Sequence, residues 1–90
     1  MSKPEEHGAP TITVTVFSPK ESEGKEFTFP KTTKVGEAAT EAALAFGYAA
    51  GSTVSFQNAD KKVLDRDKPL VAEHVKDGDS LDIVDVGGGV

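Results

Sequence analysis

Three consecutive glycines, Gly87, Gly88 and Gly89, followed by Val90, are the residues of this 90-residue chain with the clearest chemical use. Without a Cβ, an extended backbone can enter a narrow channel and be hydrogen-bonded along both sides. On its own, such a run also fits a frayed chain end. It does not fit a phosphate-binding loop, because the loop lysine and the helix that should follow are both missing. His7 and His74 have no second histidine or cysteine at ligand spacing, so no metal site is expected. Asp77-Gly78-Asp79 lacks the twelve-residue pattern and closing glutamate of a calcium loop and reads as a turn. Lys61-Lys62 reads as a solvated turn or edge.

The chain contains no cysteine, which excludes a disulfide framework, a thiolate zinc site, an iron–sulfur cluster and a cysteine nucleophile. No nucleophile–base pair is evident. The chain is therefore not expected to be an enzyme, and no catalytic residue, metal ligand or cofactor is assigned. A formal charge of -5 argues against nucleic acid or an anionic membrane as a partner held by bulk electrostatics. No apolar stretch approaches the ~18 residues needed to span a bilayer. Residues 1–9, MSKPEEHGA, lack the apolar centre of a signal peptide, and a cytoplasmic location is expected.

The elements that must carry the glycines follow from period and punctuation. Residues 1–10 are polar and broken by Pro4, Gly8 and Pro10, and read as a disordered tail. Thr11 to Phe17 alternates threonine with aliphatic residues, the period-two pattern of a strand with Ile12, Val14 and Val16 inward. Ser18 to Gly24 reads as a turn, and Lys25 to Phe29 as the second strand of a hairpin, ended by Pro30. Thr32 or Thr33 is the expected N-cap of an alanine-rich helix. Val35, Ala38, Ala39, Ala42 and Phe46 share one face of it, and Gly47 suits a left-handed C-cap. Val54-Ser55-Phe56 alternates again. Lys62-Val63-Leu64 is at most a short strand, Leu70 to Val75 a single helical turn, and Leu81 to Val86 a last strand. A helix lying across a mixed sheet buries both apolar faces in two layers. With the first and last strands side by side in the centre, this is an α+β fold of β-grasp type. The expected core is Ile12, Val14, Val16, Phe27, Phe29, Ala42, Phe46, Phe56, Leu81 and Ile83. Residues 11–86 form the domain, and residues 87–90 a flexible Gly-rich tail.

The second half resembles ubiquitin. The run from Val63 to Leu70 is similar to that family's leucine–acidic turn–basic–leucine segment. In His74 to Val84, Val75 stands for an isoleucine, Ser80-Leu81 for Thr-Leu, and Ile83-Val84 for Leu-Val. The glycine triplet then falls close to the family's terminal glycine pair. Asp85 and Val86 replace the basic segment before those glycines, which implies poor recognition by an activating enzyme built for a basic tail. Ser55 corresponds to the solvent-facing isoleucine of the family's binding patch, and Val84 to its partner valine. Val84, Leu44 and Ser55 are accordingly the candidate partner surface, with Leu44 expected on the helix side opposite Val35.

The resemblance implies a protein modifier similar to the bacterial ubiquitin-like modifiers encoded with their own enzymes. A peptidase would remove Val90. An activating enzyme would adenylate the exposed Gly89, and a conjugating enzyme would pass it to a protein target or to another copy. Two other functions fit the same resemblance: a sulfur carrier ending in a thiocarboxylate, and a non-conjugated ubiquitin-like binding module.

Overall fold

The computed structural model describes residues 10–19, 21–49 and 51–87. The threonine–aliphatic alternation becomes β1 (Thr11–Ser18), with Ile12, Val14 and Val16 buried. It pairs antiparallel with β2 (Glu21–Pro30), from Thr11 opposite Pro30 to Val16 opposite Lys25. The turn is shorter than expected, and Gly24 lies inside β2. A Cβ on Gly24 would come within 2.8 Å of both Phe17 Cε2 and Thr15 Cγ2. Glycine is therefore needed there to admit side chains from β1, not to turn the chain.

Helix α1 (Val35–Ala45) buries Val35, Ala38, Ala39, Ala42 and Ala43, and Phe46 is buried at its C-cap. Small side chains on that face let the helix approach the sheet closely. Its N-cap is Lys34, with no side-chain hydrogen bond, and not Thr32 or Thr33. The first amides are satisfied from elsewhere: Val35 N–H donates to the Lys68 carbonyl (2.9 Å) and Gly36 N–H to that of Arg66 (3.0 Å). The C-terminus behaves as expected. Gly47 has φ +91°, and the amides of Gly47 and Tyr48 donate to the carbonyls of Leu44 and Ala43, a Schellman motif.

β3 (Val54–Gln57) and β4 (Ser80–Asp85) complete a four-stranded sheet of order β2-β1-β4-β3. β1 and β4 run parallel at its centre, and the other pairs are antiparallel. With α1 packed across one face over β3 and β4, this is the β-grasp arrangement. The expected short strand at 62–64 is reduced to a bridge between Val63 and Gln57. A 3-10 turn covers Leu70–Glu73, closed by His74 at φ 64°.

The residues expected in the core are buried, except that Phe27 is half-buried and stacks on Phe29 at 5.9 Å between ring centroids. Leu64, Leu70 and Val75, all from the irregular chain between β3 and β4, are core residues as well. Among the described residues no helix is long and apolar enough to cross a membrane. The expected N-terminal tail lies outside the described residues except for Pro10, whose carbonyl accepts a hydrogen bond from Lys31 N–H at 3.0 Å.

Candidate functional site

The glycine triplet follows β4, a strand paired with β1 over its first half and with β3 over its second. Val16 faces Leu81 across one ladder, and Val54 faces Asp85 across the other. Beyond Asp85 the chain does not come free at once. The amides of Val86 and Gly87 both donate to the Thr53 carbonyl, at 3.0 and 3.1 Å. Gly87 N–H also donates to Asp85 Oδ1 at 3.0 Å. A Cβ on Gly87 would lie 2.6 Å from Thr53 Cβ and 3.0 Å from its Oγ1. Gly87, assigned from sequence to the flexible tail, is thus held against the start of β3 and has a steric reason to be glycine. Gly88, Gly89 and Val90 lie outside the described residues.

The three candidate surface residues part company. Ser55 presents nothing to a partner: it is 0% exposed, and its Oγ donates to the Leu64 carbonyl at 2.8 Å. The chain after β3 folds back along that strand's free edge and seals it. Leu64 N–H donates to the Phe56 carbonyl (2.8 Å), Asn58 N–H to that of Lys62 (2.9 Å), and Arg66 Nε to that of Val54 (2.7 Å). Val84 is half-buried opposite Ser55 on the sheet face away from the helix. Leu44 is 51% exposed on α1, beside an open groove of about 460 Å³ lined also by Glu37, Glu41, Arg66 and Asp67. The helix covers one face of the sheet and Val84 points from the other, so Leu44 and Val84 do not form one surface.

Asp77-Gly78-Asp79 is the turn expected of it. Asp77 Oδ1 accepts from Thr13 N–H at 2.7 Å, Asp79 Oδ2 from Lys76 N–H at 2.9 Å, and Gly78 has φ +89°. Its carboxylates tie the turn to β1 and to itself.

No family model matches the sequence, and no curated protein does. Solved structures do match. Ubiquitin from Caldiarchaeum subterraneum superposes with a TM-score of 0.71 at 16% identity, over 88% of this chain and 100% of that one. A ubiquitin-like domain of tubulin-binding cofactor B gives 0.62 at 20% identity, over 88% of this chain and 93% of that one. The ubiquitin-like domain of a type VII secretion system protein of Mycobacterium tuberculosis gives 0.61 at 16% identity, over 83% and 98%.

The chain has the ubiquitin-like β-grasp fold.

Two residues of this ubiquitin-like domain were missed by sequence reading. Thr53 is one: the register of β3 against β4 places it beside Val86, and no local sequence signal carries that register. Arg66 is the other. Nothing in its sequence neighbourhood shows that its Nε replaces a strand donor at the Val54 carbonyl.

Proposed function

We propose that this ubiquitin-like domain is a protein modifier acting in the bacterial cytoplasm through the carboxylate of Gly89. The observation that carries the reading is the exit of the chain. It leaves a strand that is paired with β1 from Ser80 to Asp82 and with β3 as far as Asp85, and it is anchored at Thr53, with Gly88-Gly89 next in sequence. Water, under a processing peptidase, cleaves the peptide bond after Gly89. The freed carboxylate attacks the α-phosphorus of ATP and expels pyrophosphate, giving an acyl adenylate. A thiolate of the activating enzyme displaces AMP, and a conjugating enzyme's thiolate takes over the thioester. An amine or hydroxyl of a target, or of another copy, then displaces that thiol and loses its proton. The thiols belong to partner enzymes, since this chain has no cysteine.

Intact mass of the N-terminally tagged full chain, purified from its native host, tests the reading. Expected are a species ending at Gly89 and heavier, denaturant-resistant species joined through Gly89. A chain found only unprocessed and unattached removes the modifier reading. A chain whose terminal carboxylate carries sulfur makes it a sulfur carrier. Val84 is the contact proposed for a partner enzyme, and Val84→Asp is expected to lower the conjugated fraction with circular dichroism unchanged. A second reading, a non-conjugated binding module, draws support from the similar structures that are domains of named proteins.

A further inference from the structure

We infer that Thr53 and Gly87 are a positioning pair that sets where and in which direction the tail leaves the sheet. The glycine triplet is thereby divided: Gly87 fixes the exit from the sheet, and Gly88-Gly89 serve the enzymes. The inference rests on the modifier reading and deepens it.

Regular pairing stops at Asp85. One carbonyl, that of Thr53, then receives two successive amides, from Val86 and Gly87, which uses both of its lone pairs. Gly87 N–H is shared with Asp85 Oδ1, so the last described peptide is held from two directions. The close approach follows from these bonds. The position a Cβ would occupy at residue 87 is 2.6 Å from Thr53 Cβ, where carbon atoms in contact sit ~3.5–4.0 Å apart. Any side chain at 87 must therefore push the backbone off Thr53. Both residues are exposed, and neither is part of the buried cluster. The cheapest relief is for the tail to swing away from β3 while the globule stays folded. An enzyme that docks on the globule and receives the tail would then meet it at the wrong angle. Misplacement on the scale of 1 Å can cost on the order of a hundredfold in rate.

The test uses the full chain, N-terminally tagged and expressed in its native host, with the conjugated fraction read by denaturing blot. Amide hydrogen exchange at residues 86 and 87 of each purified variant is the second readout. Gly87→Ala is expected to lower conjugation on the order of tenfold or more and to lose the exchange protection, with the melting temperature unchanged. Adding Thr53→Gly removes both clashing atoms and is expected to restore protection and conjugation. Adding Thr53→Ala restores neither, because the Cβ it keeps is the atom at 2.6 Å. Wild-type conjugation by Gly87→Ala, or rescue by Thr53→Ala as good as by Thr53→Gly, overturns the positioning pair while the modifier reading stands. If the wild type itself never conjugates, the modifier reading fails and the positioning role falls with it.

Discussion

The hairpin and helix at residues 11–47 and the irregular chain at residues 58–79 satisfy their backbones by different means: the first by repeating ladders and helical turns, the second by single turns and isolated long-range bonds. In the first region the polar groups are paired through regular ladders and turns, β1 with β2 and with β4, and the turns of α1. In the second, turn bonds within the segment, such as Lys61 N–H to the Asn58 carbonyl and Val75 N–H to that of Leu70, stand beside bonds to partners far away in sequence. Lys68 and Arg66 carbonyls cap the start of α1, while Leu70 and Val71 amides donate to the Thr33 and Lys31 carbonyls. Arg66 Nε closes on β3. A segment with little regular structure thus ties the helix N-terminus to the edge of the sheet. The lesson is that irregular chain is not loosely held chain, because a buried backbone group must be paired wherever its partner lies.

The largest expected effects test whether the two regions hold the core equally. Phe46, buried at the end of α1, and Leu70, fully buried in the 3-10 turn, belong to one cluster. Phe46→Ala should cost ~3–5 kcal/mol and Leu70→Ala ~2–5 kcal/mol, large against the ~5–15 kcal/mol stability usual for a folded domain. Chemical denaturation of each variant measures this. A Leu70→Ala variant that unfolds with the wild type would show the irregular chain to be a passive covering.

Arg66 sharpens the comparison at intermediate size. Its Nε donates 2.7 Å to the Val54 carbonyl at the edge of β3, and Val54 is fully buried. Arg66→Met keeps most of the side-chain length but leaves that carbonyl without its charged donor. A loss of ~1–3 kcal/mol is expected, with faster exchange of the Leu64 amide, which pairs with Phe56 on the same edge. Unaltered stability and exchange would mean that Leu64 and Asn58 seal the edge without it.

How far the molecule was legible follows the same division. The β1 alternation, the helix face from Val35 to Phe46 and the Gly47 cap are local signals, and each is present where it was read. Thr32 and Thr33 misled because a hydroxyl cap is a local habit, and here a distant loop supplies carbonyls instead. Gly24 misled because a glycine admitting a cross-strand neighbour looks in sequence like a turn glycine. Ser55 was misplaced because correspondence with a surface isoleucine says nothing about the chain that folds back over it. Of the candidate site, the triplet was legible as a glycine run. The part Gly87 plays in the exit from the sheet was not, since it depends on Thr53, remote in sequence.

The smallest effect in the wild type is also the most discriminating, and it lies where the two regions touch. Gly36 sits in the first turn of α1, and a Cβ there would meet the Arg66 guanidinium carbon and Nη2 at 2.9 Å. Two effects of similar size oppose each other on Gly36→Ala. Alanine gains ~1 kcal/mol of helix propensity over glycine. The new methyl group also displaces the guanidinium, which is the free end of a flexible side chain and moves at the cost of its bond to Val54. That bond is worth ~1–3 kcal/mol, so the net change in the wild type should be near zero or mildly destabilising. In the Arg66→Met background the bond is already gone and the longer head group is absent, so Gly36→Ala should then stabilise by up to ~1 kcal/mol. A double-mutant cycle by denaturant unfolding reads the difference as a coupling energy between the helix start and the sheet edge. Equal effects of Gly36→Ala in both backgrounds would show that the guanidinium gives way at no cost, and that the helix and the edge are sealed independently.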